Sequence, residues 1–246
     1  MENQTLPTLY RSAVPLNSEI HANLTIGPSP QGYAFAANAQ SVLLAGVEFF
    51  DAGRHYPIFF SAAPDGRILP QALLGLESSE NLFVDVAGAW AVSYIPAYIR
   101  RYPFITTDEV EGRLTVCFDE QFDGFNREGG QPLFADSQPT ARMQEIQALL
   151  QDYLQQLSQT EQLGATLAQA GLLRQIDLNA NLADGRSLTV NGLLVVDEQK
   201  LSQLPDLQIV QLFRSGMLGL ITAHLLSLRN IDRLIELKSR RSHQTG

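Results

Sequence analysis

The sequence predicts an α+β fold, in which an aromatic-rich, mainly antiparallel β region is followed by helices, a β-hairpin and a long C-terminal helix. Of the 20 Phe, Tyr and Trp residues, 17 lie before Gly130. This first part contains short apolar runs separated by Pro and Gly, which is typical of strands and tight turns. The later part repeats Leu and Gln at helical spacing. We therefore divide the chain into regions 1–130 and 131–246, with one shared core as the alternative to two separate ones.

Five segments of the first region have strand patterns. Apolar and polar residues alternate over 20–26, and further strands are predicted at 33–36, 57–62, 81–86 and 113–118. The segment 41–53 predicts a short helix, with a strand as the alternative. Pro64-Asp65-Gly66 predicts a turn, because Pro presets φ and Gly accepts a positive φ. The Gly- and Pro-rich segment 123–140 is the predicted connection between the regions.

The second region predicts helices around one hairpin. An apolar stripe begins a helix near Thr140, Ser158 and Glu161 form a capping-box pattern that predicts a second helix, and Gly171 predicts its end. Alternation over 176–182 and 188–190, around Asp184-Gly185, predicts a hairpin. Pro205 opens the predicted final helix, whose apolar face would contain Val210, Phe213, Met217, Leu220, Ile221, Leu225 and Leu228.

Composition limits the classes of function. The 246 residues are 45% hydrophobic and carry a net charge of -9, which argues against a general nucleic-acid binder. The single cysteine, Cys117, cannot form an internal disulfide, and the first 20 residues have no signal-peptide pattern, so we expect a cytoplasmic protein. The apolar segment 207–228 contains Arg214, and a charge in mid-bilayer costs at least about 2.5 kcal/mol, so no membrane span is predicted.

The densest candidate for binding is the segment 81–104. Pro96 and Pro103 stiffen its backbone around the adjacent Arg100 and Arg101. These two guanidinium groups, facing an accessible hollow, could bind a carboxylate or phosphate beside flat aromatic walls. The predicted ligand-binding residues are Trp90, Tyr94, Tyr98, Arg100, Arg101, His55 and Asp85. In the alternative interpretation, one arginine pairs with Asp85 or another acid at the core edge and the tyrosines pack.

Four sequence blocks together resemble the SapC family of bacterial proteins over residues 10–234. These are the segment 81–104, His-Tyr-Pro-Ile-Phe-Phe at 55–60, Pro-Gln-Ala-Leu-Leu-Gly-Leu at 70–76, and 216–228. The family takes its name from a surface-layer-associated protein, and some members are labelled peptidases. Relatives are often encoded beside cupin-like and halogenase-like proteins. The resemblance therefore implies an accessory role with such enzymes as partners, and it supplies no catalytic residues.

No catalytic motif accompanies the resemblance. The sequence contains neither a His-Glu-x-x-His zinc motif, nor Gly-x-Ser-x-Gly, nor a glycine-rich phosphate loop. We therefore predict no catalytic residues, no metal and no cofactor, and a binding protein for a protein partner or a small anionic or aromatic ligand. The first alternative is a hydrolase or metal-assisted enzyme that uses His55 with an acid such as Glu48 or Asp85. The second is a component of surface-layer assembly.

Overall fold

The computed structural model describes residues 9–110, 113–182 and 184–244, and it confirms the α+β class with antiparallel sheets. The strands are β1 Ala13–Pro15, β2 Thr25–Ile26, β3 Ser41–Leu43, β4 Ile58–Ala62, β5 Ile68–Leu73, β6 Phe104–Val110, β7 Arg113–Asp119, β8 Gln131–Pro132, β9 Phe134–Ala135, β10 Gln138–Pro139, β11 Leu173–Asn181 and β12 Ser187–Val196. The α-helices are α1 Phe49–Ala52, α2 Ala97–Arg100, α3 Ala141–Gln169, α4 Glu198–Ser202, α5 Asp206–Arg214, α6 Met217–Ser227 and α7 Asn230–Gln244. Short 3-10 helices lie at Ala34–Ala36 and Gly46–Glu48.

The largest sheet combines strands from both parts of the chain. Its order is β11-β12-β4-β5-β3, and every neighbouring pair is antiparallel. Within it, the β11–β12 hairpin is confirmed, with Leu178 opposite Val190 and a positive φ at Gly185. The β4–β5 hairpin turns at the predicted Pro64-Asp65-Gly66, where Gly66 has a φ of 84°. The strands predicted at 57–62 and 113–118 are confirmed as β4 and β7.

The long helix α3 connects two apolar cores. Its first turns pack Met143, Ile146 and Leu150 against the core of the three-stranded sheet β1-β7-β6. Its last turns contribute to the core of the five-stranded sheet. At Gly164 the helix approaches β5 so closely that an added Cβ would lie 1.9 Å from the carbonyl oxygen of Ile68. The helix begins near Thr140 as predicted, and Thr140 is its N-cap, since Thr140 Oγ1 accepts from the backbone nitrogen of Met143.

Three strand predictions for the first region are wrong. Residues 20–26 form a turn before the two-residue β2, because the Asn17 side chain accepts hydrogen bonds from the backbone nitrogens of Glu19 and Ile20. Residues 33–36 contain a 3-10 helix, and 81–86 contain turns with an isolated bridge between Val84 and Trp90. The segment 41–53 contains both alternatives, β3 followed by the 3-10 helix and α1.

Two helix predictions also need correction. The capping-box pattern at Ser158 and Glu161 does not start a new helix, because α3 continues through it and the Glu161 carboxylate accepts from Arg67 instead. The predicted single helix from Pro205 is broken after Arg214. Gly216 has a φ of 77°, and an 89° bend separates α5 from the helices that follow. Val210 and Phe213 therefore lie outside the apolar face predicted for them, which α6 continues alone.

The last helix is anchored by two basic side chains. Lys238 is buried and donates hydrogen bonds to the carboxylates of Glu77 and Glu80. Arg241 donates to the carbonyl oxygens of Asn81 and Val84, at 2.8 and 2.6 Å. Within the described residues, no single helix is long and apolar enough to cross a membrane, and only the bent pair that starts with α5 reaches the required length and composition.

His224 on α6 closes the seam between β4 and β12. The ring is fully buried, Nδ1 lies 3.0 Å from the carbonyl oxygen of Ile58, and Nε2 accepts from the backbone nitrogen of Val196 at 3.1 Å. A carbonyl oxygen can only accept, so Nδ1 carries the proton of a neutral ring. Burial lowers the pKa of His224 to about 4, against a hydrogen bond to Ile58 that raises it.

We predict that His224 makes the protein sensitive to acid. Its folded pKa lies below the unfolded value of 6.5, so the unfolded chain binds more protons between these pH values. The free energy of unfolding should fall by up to about 3 kcal/mol as pH drops from 6.5 to 4. His224→Ala should cost about 3 kcal/mol at neutral pH and flatten this slope, as measured by urea denaturation at several pH values. His21→Gln is the control that keeps the slope, and an unchanged slope in His224→Ala would contradict the prediction.

Candidate ligand-binding groove

The buried carboxylate of Glu48 holds the segment around α2. In the sequence, Glu48 was only a possible acid partner of His55 in the hydrolase alternative. Glu48 is 4% exposed. Its Oε1 accepts from the Tyr94 hydroxyl at 2.8 Å and from the Ala97 backbone nitrogen at 2.7 Å, while Oε2 accepts from the Ala45 backbone nitrogen at 2.8 Å. Burial, followed by the Glu48 charge, raises the pKa of Tyr94. These bonds fix the start of α2 and leave Glu48 committed to structure.

Arg101 is buried inside a cage of tyrosines. It is 7% exposed, and its Cζ lies 4.4 Å from the ring centroid of Tyr98, 4.6 Å from that of Tyr153 and 6.0 Å from that of Tyr10. A guanidinium group over aromatic faces is stabilised by the ring quadrupoles, most strongly away from water. The expectation that both adjacent arginines face outward is therefore wrong for Arg101.

Arg100, unlike Arg101, is exposed. Its Nε donates to the carbonyl oxygen of Ile95 at 3.0 Å, which holds the side chain along the surface. Asp85, the acid considered as a partner, instead closes its own turn by accepting from the backbone nitrogens of Ala87 and Ala89. Among the described ion pairs none joins Asp85 to either arginine, so that alternative is wrong for Asp85.

The remaining predicted site residues lie in a neighbouring cluster. Trp90 Nε1 donates to the Tyr56 hydroxyl at 2.8 Å, and that hydroxyl donates to the carbonyl oxygen of Tyr94. His55 Nε2 lies 3.2 Å from Ser93 Oγ, and its buried Nδ1 has no hydrogen-bond partner among the described residues. Partial burial, then the charges of nearby arginines, lower the pKa of His55. Neither Trp90 nor His55 lines the two hollows that Arg100 borders.

Arg100 borders a groove made of neighbouring hollows, which we call the Arg100 groove. The central hollow, of ≈ 350 Å³, and a second one of ≈ 260 Å³ are both lined by Arg100, Tyr102, Pro103 and Arg142. A third hollow, of ≈ 180 Å³, shares Tyr102 with the central one. Tyr102 is thus common to all three.

Aromatic rings pack around Tyr102 and form the wall of the groove. The Tyr102 ring stacks on Phe35 with centroids 4.1 Å apart and an interplanar angle of 18°, and it meets Phe122 edge to face at 5.6 Å. Its hydroxyl donates to Asp119 Oδ2 at 3.1 Å, and Asp119 is fully buried while accepting from the backbone nitrogens of Arg11 and Ser12 as well. Burial and the Asp119 charge raise the pKa of Tyr102, so the ring is a neutral, fixed surface.

Sequence reasoning missed most of this groove. Arg142 is exposed at the start of α3, where Nη1 lies 3.1 Å from Glu145 Oε2 in an ion pair that is open to solvent on both sides. Phe35, Phe122 and Arg142 come from segments far from α2 along the chain, so no local pattern connects them. Tyr102 alone carried a signal, because it lies in the same proline-bounded segment as Arg100.

Among the described residues, the donors for metal chemistry are not brought together. Within the described residues there is no group of three or more His, Cys, Asp or Glu that could hold a metal ion. Cys117 is buried, and burial raises the pKa of its thiol. What the groove can do chemically is to pair an anionic group with guanidinium and to stack a flat one on aromatic rings.

Fold and groove together define a mixed α+β protein with an arginine-bordered aromatic surface hollow. A family model described as SapC matches residues 16–234, and the chain therefore belongs to the SapC family, as the sequence resemblance predicted. Comparison with the curated proteins and with the solved structures gives no match.

We predict that the two adjacent arginines contribute very unequally to stability. Arg101→Ala should lower the free energy of unfolding by about 3 kcal/mol, because it empties the tyrosine cage. Arg100→Ala, the matched control one residue away, should change it by less than about 0.5 kcal/mol. Urea denaturation followed by circular dichroism measures both. Equal unfolding midpoints for wild type and Arg101→Ala would show that the cage contributes nothing to stability.

Proposed function

We propose that this SapC family member is an accessory or binding protein without a catalytic step, and that it binds a ligand with an anionic group on a flat apolar body in the Arg100 groove. The observation that carries the proposal is that Arg100 and Arg142 border the same two hollows beside Tyr102. The ligand is a small molecule or a side chain of a protein partner. The proposed partners are enzymes of the cupin-like or halogenase-like kind, which act in cell-surface or modification pathways. The proposed location of the protein is the cytoplasm.

Three physical features support an anionic, aromatic ligand. First, the two guanidinium groups come from different elements, so an anion between them would receive charge-assisted hydrogen bonds from both sides. Second, Tyr102 is already fixed by Phe35 and Asp119, so stacking on it requires little further ordering. Third, the central hollow of ≈ 350 Å³ lies at the lower end of the range for small-molecule sites.

Binding should therefore depend on both charge and aromaticity. We expect naphthoate to bind the wild-type protein more tightly than the neutral naphthamide, as measured by isothermal titration calorimetry. Arg100→Ala and Arg142→Ala should each weaken naphthoate binding by about 10-fold or more, since a hydrogen bond to a charged group contributes about 1.5 to 3 kcal/mol. Arg174→Ala, on the exposed side of β11, is the control that leaves binding unchanged. The proposed ligand chemistry would be refuted if naphthamide bound as tightly as naphthoate. It would also be refuted if both groove variants bound naphthoate as tightly as the wild-type protein does.

One contact favours the hydrolase alternative. Ser93 Oγ lies 3.2 Å from His55 Nε2, the arrangement of a nucleophile and its base. Against it, the Glu48 carboxylate is committed to structural hydrogen bonds, and His55 Nδ1 lacks the acceptor that would orient the ring among the described residues. Since the pKa of His55 is lowered, its ring is neutral at pH 7 and could accept a proton.

We expect no hydrolysis of p-nitrophenyl acetate by the wild-type protein above the rate of a Ser93→Ala, His55→Gln double variant. The proposal assigns the Ser93–His55 contact to structure, so the two rates should coincide at every pH from 6 to 8. A wild-type rate that both single variants abolish, with circular dichroism spectra unchanged, would instead establish the enzyme alternative.

A further inference from the structure

The helix α5 turns an apolar face to solvent. Leu207 and Phe213 are 70% and 73% exposed, and Val210 between them is 41% exposed. Only Leu212 is buried among the nine residues of this helix, all of which the structure describes. Single exposed apolar residues are ordinary, but three in a row along one face of a helix indicate a surface that is covered by something.

The residues of this face are arranged symmetrically about Val210. Three positions before and after it lie the apolar Leu207 and Phe213, and four positions before and after it lie Asp206 and Arg214. At 3.6 residues per turn, all five positions fall within about 60° of Val210 around the helix axis. Counted from Val210 toward either end of α5, the face therefore has apolar residues at the same positions. The charged residues also lie at matching positions, but they have opposite signs.

Such a pattern is complementary to itself when two copies of the helix run antiparallel. A twofold axis at Val210 places Val210 against its own copy, Leu207 level with the second copy's Phe213, and Asp206 level with the second copy's Arg214. Two opposite-charge pairs then form at the ends of the contact. Among the described residues, neither Asp206 nor Arg214 has an ion pair within its own chain.

The hollows beside α5 lie away from this face, because the α5 residues that line them are Gln208, Gln211 and Leu212. Hollows of ≈ 430 and ≈ 630 Å³ lie on either side of the bend between α5 and α6, and Met217 lines both. Their other lining residues are apolar or uncharged polar, with glutamines prominent. The face around Val210 carries one acid and one base, Asp206 and Arg214, so it has no net charge. Two copies of a chain with a net charge of -9 repel each other in general, and a neutral face is where they can meet.

We propose that α5 is a self-association surface, on which a second copy of this chain binds with its own α5 antiparallel about a twofold axis at Val210. This inference is independent of the Arg100 groove and of any ligand. The interaction is isologous, so it closes at a dimer.

The first test is the oligomeric state by sedimentation velocity over a dilution series. Wild-type protein should sediment as a dimer that dissociates on dilution. Val210→Glu places two carboxylates at the axis and should weaken the dimer by at least about 100-fold. Leu226→Glu, at an apolar residue of α6 that is 58% exposed, is the matched control and should leave the dimer intact. A wild-type monomer at all concentrations, or a dimer that Val210→Glu does not affect, would overturn the proposal.

A charge exchange tests the antiparallel arrangement. Asp206→Arg and Arg214→Asp should each weaken the dimer by about 10-fold or more, because each places like charges level with one another. The double variant exchanges the charges and should restore the wild-type dissociation constant. Failure of the double variant to recover would exclude this geometry.

Disulfide trapping adds a readout that does not depend on affinity. The natural Cys117 is buried, so Val210→Cys introduces an accessible thiol at the proposed axis. Mild oxidation should give a covalent dimer on a non-reducing gel, while Leu226→Cys should not. If Val210→Cys stays monomeric, the proposal is wrong. It is also wrong if the wild-type protein is a monomer that binds phosphatidylcholine vesicles and Val210→Glu abolishes that binding, because the face then has another occupant.

Discussion

The seam between β4 and β12 is the contact on which the rest of the structure depends, because it joins strands from distant parts of the chain. The two strands share a short register, with Leu194 opposite Phe60. Helix α6 completes the seam from one side. His224 and Ser227 satisfy the carbonyl oxygen and the backbone nitrogen of Ile58, at 3.0 and 2.9 Å. Helix α6 thus supplies hydrogen bonds that a neighbouring strand would otherwise make. It can supply them only while the His224 imidazole is neutral.

From this seam the order of the structure extends step by step to the groove. The segment between β3 and β4 is held against α3, where the backbone nitrogen of Gly46 donates to Thr160 Oγ1 at 2.7 Å. Two residues later, Glu48 accepts from Tyr94 and Ala97 and so positions α2. The burial of Arg101 among tyrosines fixes the orientation of α2 about its axis. Arg100 is exposed at the groove as a consequence, since adjacent residues on a helix point about 100° apart.

Local signals made part of the fold predictable, and long-range contacts made the rest unpredictable. The turns at Gly66 and Gly185 and the cap at Thr140 were predictable because a residue's own conformational freedom or side chain determines each. The strand predicted at 81–86 failed because the Asn81 side chain donates to the carbonyl oxygen of Ala36 and accepts from the backbone nitrogen of Phe83, in place of a ladder. For the site, the residue types near α2 were predictable, but Phe35, Phe122 and Arg142 reach the groove only through the tertiary fold.

Whether the apolar residues of a helix face the core or the solvent depends on where the helix breaks, and periodicity alone does not reveal the position of the break. Counting at helical spacing from Val210 to Leu228 assumes one continuous axis. The positive φ at Gly216 and the 89° bend remove that assumption, so α6 keeps its apolar face inward while α5 presents Val210 and Phe213 to solvent. Close packing does not explain Gly216, because a Cβ added to it would have no neighbouring atom within 4 Å. Its role is therefore conformational: by ending α5 it converts what would have been core residues into a surface.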